Sequence, residues 1–187
     1  MASYNITYDS ANTAVRAFLT KVGEYYWGKS FNTGVGAAKL VWSKIKDIIF
    51  ENKCAYCGKP EAKLQIEHLI MFNREQFGLH HPGNIVPICN NCNKRRKDEN
   101  GKYLNWEDQL EQICRENNDL DLYFIRKKNI KEHIEEGEYK YPQFSESEQN
   151  AIRVIANTLY DNIKAKSEKA LNLYQELDKA FIKGKNA

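Results

Sequence analysis

Apolar residues recur at helical spacing early in the chain: between Ser10 and Trp27, Val15, Phe18, Leu19, Val22, Tyr25 and Tyr26 fall on one face. Ala37 to Phe50 repeats the pattern with Leu40, Val41, Ile45, Ile48 and Ile49, so two helices are expected, joined by the Gly-rich run Gly28 to Gly36. The period then shortens. Lys63 to Ile70 alternates and Asn84 to Ile88 is a short apolar run, which predicts two strands separated by a loop from Asn73 to Gly83. Asn93 to Glu99 reads as a short polar helix stopped by Gly101. Helices are expected at Asn105–Arg115 and near Asp119–Glu136, followed by a turn at Tyr139 to Pro142. From Ser145, with Glu148 three residues on as a capping box, apolar residues continue at Ile152, Ile155, Leu159, Ile163, Ala170, Tyr174, Leu177 and Phe181. Unbroken, that helix runs to about 57 Å at 1.5 Å per residue and must pack along something. Its stripe weakens from Lys164 to Lys169, where a break would give two shorter helices.

With 187 residues, the chain has room for one core with appendages and not for two full-sized domains. Its 42% hydrophobic and 28% charged residues exclude a disordered or collagen-like chain. No apolar run approaches the ~20 residues of a membrane helix, and no secretory signal is expected, so a cytoplasmic, reducing compartment is the expected setting. The net charge of +3 is unevenly spread. Residues 1–106 carry 15 Lys and Arg against nine Asp and Glu, and residues 107–187 carry 13 against 16. The basic excess therefore lies on the N-terminal side, where a polyanion could be held.

Four of the five cysteines form two pairs, Cys54-x-x-Cys57 and Cys89-x-x-Cys92. In a reducing compartment, paired knuckles of this kind favour a metal over disulfides. Two thiolates from each turn complete a tetrahedral Zn²⁺ site with no open position, one per chain, which is structural rather than catalytic. Gly58 follows the first pair, where the turn needs positive φ. Thirty-one residues separate the pairs, so the zinc should clamp the two ends of an inserted unit. Cys114 reads as a small buried apolar residue.

Inside the clamp, the first strand ends on Glu67-His68, the loop carries Gly78, His80, His81 and Pro82, and Asn84-Ile85-Val86-Pro87 leads to Cys89-x-x-Cys92-Asn93-Lys94. In the order and spacing of these elements, Lys53 to Gly101 resembles the HNH endonucleases of the ββα-metal fold, in the subgroup braced by four cysteines. The resemblance implies an α+β, mostly helical protein: a 1–52 N-terminal helical region, a 53–101 zinc-braced nuclease core, and a 102–187 C-terminal helical region available for dimerisation. It further implies that His68 is the general base, that Glu67 and Asn93 hold a catalytic Mg²⁺ or Mn²⁺, and that Asn84 holds the loop and orients the histidine. Oxygen ligands suit such a hard cation, and a neutral imidazole suits proton abstraction near neutral pH.

Lys94, Arg95, Arg96 and Lys97 stand beside Asn93, where they are expected to meet backbone phosphates. The Gly-rich Gly28–Gly36 run lacks the lysine of a phosphate-binding loop and reads as a connector or as a basic loop able to touch a DNA groove. Three positions depart from the family's commonest pattern: Glu67 stands where Asp is usual, Asn93 where the family name implies His, and Met71 where Pro is frequent. None removes a required function. His80 and His81 are expected to have structural roles, and His133, on a charged helical stretch, reads as a surface residue.

The expected function is DNA phosphodiester hydrolysis by a restriction or anti-phage defence nuclease. Alternatives are a mobile-element or phage nicking endonuclease and a non-catalytic zinc-knuckle nucleic-acid-binding subunit. A homodimer would give a double-strand cutter two sites related by two-fold symmetry. A partner ATPase or sensor subunit would fit a defence system, and no membrane partner is expected.

Overall fold

The computed structural model describes residues 7–182, with side chains described between residues 10 and 181. The chain divides into two compact units, one made of residues 20–72 and 78–143 and the other of residues 7–19, 73–77 and 144–182. Helix α1, Thr7–Trp27, contributes to both.

The larger unit is built around a two-stranded antiparallel sheet of β1, Gln65–His68, and β2, Ile85–Ile88, with Glu67 opposite Val86 and His68 opposite Ile85. All four β2 residues are buried, as its uninterrupted apolar run requires, while β1 is half-buried along its length. Helix α2, Gly36–Lys44, widens into a π-type turn at Ile45–Ile49 and ends in two left-handed residues, Glu51 and Asn52, that turn the chain into the first cysteine pair. Helix α3, Trp106–Glu116, starts on Asn105, whose side chain accepts from Asp108 N, and buries Leu110, Ile113 and Cys114. A 3₁₀ turn, Leu120–Leu122, leads to α4, Tyr123–Lys131, and a second π-type turn, Glu132–Glu136. Phe31, Ile45, Tyr56, Leu69 and Ile88 join these residues in one core, each burial contributing on the order of 1.5–3 kcal/mol.

In the smaller unit, α5, Glu146–Leu177, opens on the expected capping box, Ser145 and Glu148 each bonding the other's backbone. It crosses Lys164–Lys169 without a break and continues as a π-type turn to Ile182. Ile152 and Ala156 are buried, as are Ala11, Val15 and Leu19 of α1. Arg74 stacks 3.5 Å from the centre of the Tyr160 ring and bonds Asn157 at 3.2 Å. Beyond Lys164 the apolar positions Leu171, Tyr174, Leu177 and Phe181 are exposed. Among the described residues, no helix is long and apolar enough to cross a membrane.

Two expectations are corrected. Asn93 to Glu99 is not a helix: Arg96 O accepts from Leu104 N, Lys97 bridges Tyr103, and Asp98 to Gly101 is the turn of a narrow ribbon. The cause lies in α3. Gln109, 1% exposed, accepts from Arg96 N and donates to Lys94 O and Cys92 O, taking up backbone groups a helix would have used itself. His133 is also not on the surface. It is 3% exposed, and its Nε2 bonds both Pro82 O and Ile85 O at the mouth of β2, so a polar side chain is required at a core position.

Candidate functional site

The four paired cysteines are buried, and their sulfur atoms all lie within 4.8 Å of one another. Cys57 and Cys89 Sγ are 3.8 Å apart, close to the ~3.8 Å edge of a tetrahedron with Zn–S bonds of about 2.3 Å. Each pair sits in a tight turn: Gly58 N donates to Cys54 O and Asn93 N to Cys89 O. Gly58 has a φ of 71°, as the first knuckle needs. A backbone bond from Ala55 N to Pro87 O ties that knuckle to β2. Hydrogen bonding among the crowded thiols holds Cys57 well below the ordinary thiol range and pushes Cys54 above it. Soft donors in this arrangement fit zinc, and Cys114, buried elsewhere in the core, accepts from Arg126 Nη1 at 3.4 Å.

Glu67 and His68 end β1 and, by strand alternation, leave it on opposite sides. On the Glu67 side, Arg95 donates through Nε and Nη2 to Oε1, and through Nη2 to the carbonyls of His68 and Leu69. Its Nη1 bonds Leu104 O at 3.2 Å. Burial pushes the Glu67 carboxyl up from its ordinary value, and the Arg95 guanidinium opposes that rise. Both Arg95 contacts fall on Oε1, so Oε2 is the oxygen a cation would use. Asn93 donates its amide to Gln65 Oε1, two residues back on the same strand face, which leaves its own carbonyl oxygen as the ligand atom. Glu67 and Asn93 are thus each held by a different partner.

On the other side, His68 Nε2 lies 3.0 Å from His80 Nδ1, and the His68 ring stacks on Phe72 with centroids 4.9 Å apart. Asn84 is fully buried and spends its whole side chain on the loop. Its Oδ1 accepts from Ile70 N at 2.8 Å, and its Nδ2 donates to Ile70 O and Leu79 O at 2.9 Å each. His81 Nδ1 accepts from Gly83 N, capping the turn before β2, and burial holds its pKa near 4.

The basic run is not uniform. Lys94 is exposed and Lys97 lies over the Tyr103 ring, whereas Arg96 pairs with Glu116 and Arg95 points into the site. Sequence reasoning missed the inward turn of Arg95, the His68–His80 contact and the anchoring by Gln109. An arginine within a basic run carries no mark of facing inward, and the two histidines are twelve residues apart.

No curated protein and no solved structure matches the chain. The model of the family described as HNH endonuclease matches residues 54–99, from the first cysteine of the clamp through both strands and into the ribbon. The match supports a nuclease activity in general, with nucleic acid as the substrate class. Residues 54–99 thus match the HNH endonuclease family, and their four-cysteine cluster is consistent with its zinc-braced subgroup.

Proposed function

We propose that the protein is a divalent-metal-dependent DNA endonuclease that hydrolyses phosphodiester bonds with His68 as general base. The observation that carries this reading is the juxtaposition of Glu67 and His68 at the end of β1, within the matched segment, beside a loop that Asn84 fastens on both sides. Glu67 and Asn93 would hold a Mg²⁺ or Mn²⁺ ion, since both offer hard oxygen donors suited to it. Such an ion would supply Lewis-acid chemistry to the phosphate and to the leaving 3′ oxygen. His68 takes the proton of the attacking water, and Asn84 keeps the loop that carries the histidine's surroundings in register. Lys94 and Lys97 meet DNA phosphates from the solvent side, Arg96 joins them on leaving exposed Glu116, and Arg95, expected to do the same, instead holds Glu67 from within. The cleavage serves restriction or anti-phage defence.

One observation favours a second reading. Arg95 places a fixed cation on Glu67, which suits a nucleic-acid-binding subunit, or a nuclease opened by a partner ATPase or sensor. Plasmid cleavage by the zinc-loaded chain with Mg²⁺ or Mn²⁺, comparing wild type with His68→Ala, decides between them. Loss of a general base lowers the rate by about 10²–10⁴-fold. Equal cutting by both proteins refutes the role of His68, and no cutting by either favours the second reading.

A further inference from the structure

A neutral imidazole has one N–H and one lone pair, and the hydrogen bond made by one ring nitrogen fixes the role of the other. If His68 is the base, something must decide which of its nitrogens carries the lone pair. Its Nε2 faces His80 Nδ1 at 3.0 Å, and either nitrogen could be the donor across that contact. The place of the contact resolves the ambiguity. His68 Nε2 is taken up by His80, so the nitrogen that can meet the attacking water is Nδ1, and a neutral base whose lone pair is on Nδ1 carries its proton on Nε2. His68 Nε2–H then donates and His80 Nδ1 accepts, and burial, which holds the His80 pKa below its ordinary value, favours that neutral His80 ring.

We propose, building on the reading above, that His80 is a positioning residue for cleavage: by accepting from His68 Nε2–H it fixes the tautomer in which His68 Nδ1 takes the proton of the attacking water. In that step the water oxygen forms the new P–O bond as its proton passes to Nδ1, the P–O3′ bond breaks, and the 3′ oxygen takes a proton from solvent. The imidazolium that results already directs its second N–H at His80, which stays neutral throughout.

The relay is anchored outside the two rings. Phe31 is 1% exposed, its ring lies 5.0 Å from that of His80, and its N–H donates to Glu24 Oε1 at 3.1 Å. The same carboxylate oxygen accepts from Ser30 Oγ at 2.9 Å, so the Gly-rich connector is fastened to α1 next to the point where it meets His80. Gly23 brings the α1 backbone against the His80 backbone: a Cβ there would lie 2.3 Å from His80 O. Phe72, stacked on His68, also lies 5.8 Å from His80. Two facing ring nitrogens could instead share a cation. Among the described residues, however, the four cysteines are the cluster of three or more Cys, His, Asp or Glu with metal-binding spacing, and no third such ligand joins the histidines.

The chain has four histidines, so the ring ¹⁵N resonances of the zinc-loaded protein can be assigned by single substitution. Wild type is expected to show His68 protonated at Nε2 and bare at Nδ1, with that preference lost in His80→Leu. In plasmid cleavage, His80→Leu is expected to lower kcat about 10–100-fold with KM within about threefold, the usual cost of removing a partner that orients an active group. His80→Asn, whose amide puts a hydrogen-bonding atom near the position of Nδ1, should recover most of that loss. If His80→Leu does not fold, the wild-type tautomer and the Asn variant still decide. An Nδ1–H tautomer in wild type, unchanged kcat in His80→Leu, or Zn²⁺ or Mn²⁺ binding that perturbs both rings together overturns the proposal. The opposite tautomer with His68→Ala inactive overturns the relay alone, whereas a fully active His68→Ala overturns the base reading on which the relay rests.

Discussion

Asn84→Asp replaces one atom of a buried side chain and reverses two hydrogen bonds. Oδ1 still accepts from Ile70 N, but the atom that donated to Ile70 O and Leu79 O becomes an oxygen facing two carbonyls at 2.9 Å. The volume is unchanged, so no cavity forms, and the cost is electrostatic. Each buried carbonyl left without its donor costs about 1–3 kcal/mol, which gives about 2–6 kcal/mol for the pair. With a urea m-value of about 2 kcal/mol/M for a chain of this size, the unfolding midpoint should fall by about 1–3 M at pH 7.5. A protonated carboxyl can donate to one of the two carbonyls, so the folded state favours the neutral acid and raises its pKa above the unfolded value of about 3.9. The sign follows: the folded protein binds more protons in that window, and the variant's stability relative to wild type falls as pH rises. Urea titration of the zinc-saturated proteins at pH 5.5 and 7.5, with wild type subtracted at each pH, tests both statements. A midpoint shift under about 0.3 M at pH 7.5 refutes the claim that Asn84 holds the loop through all three bonds.

The purified chain is expected to hold one zinc, and Cys57→Ser to lose it and unfold. Structural zinc sites contribute on the order of 10–16 kcal/mol in small domains, comparable to the whole stability of a folded chain, and metal analysis with circular dichroism reads both effects. Arg95→Ala leaves the 15%-exposed Glu67 carboxylate without its partner and is expected to cost about 3–5 kcal/mol, with Arg95→Lys intermediate because it loses the fork. A melting temperature equal to wild type would contradict that. His81, held near pKa 4 by burial, is neutral when folded and titrates near 6.5 when unfolded. Its contribution is complete above pH 6.5 and is lost as pH falls toward 4, up to about 3 kcal/mol. His81→Asn should flatten the pH dependence of stability over that interval, and identical slopes in the two proteins would refute the assignment.

The parts of the fold that local chemistry dictates were legible in the sequence. The capping box at Ser145 and Glu148, the helix expected from Asn105, the apolar run of β2 and the positive φ at Gly58 each follow from residues within a few positions of one another. The cysteine clamp was legible for a similar reason, since two short-range pairs needed only one long-range closure. What failed depended on side chains arriving from elsewhere. Asn93 to Glu99 has an acceptable helical composition, and Gln109 draws it into a ribbon from a helix that starts seven residues further on. His133 lies between charged neighbours, and only the carbonyls of Pro82 and Ile85, some fifty residues away, explain its burial. In the site, Glu67 and His68 lie on β1 and Asn84 in the turn just before β2, one position ahead of the strand its sequence suggests, whereas nothing in a basic run marks Arg95 as facing inward.

Those failures share a direction. Gln109, His133 and Phe31 all lie outside residues 54–99, and each meets a backbone or ring group inside that segment: the ribbon after Cys92, the mouth of β2, and the His80 ring. A segment this short, with one four-residue strand pair and a single metal, buries too little apolar surface to fix so many polar groups by itself. The flanking helices therefore supply hydrogen bonds as well as bulk, and they supply them to the parts of the segment that carry the chemistry. Gly23 and Glu24 act at one further remove, setting the position of Phe31 and of the His80 backbone. The geometry of the candidate site is accordingly a property of the whole larger unit, in which residues from α1, α3 and the turn after α4 hold the two strands, the loop and the ribbon in register.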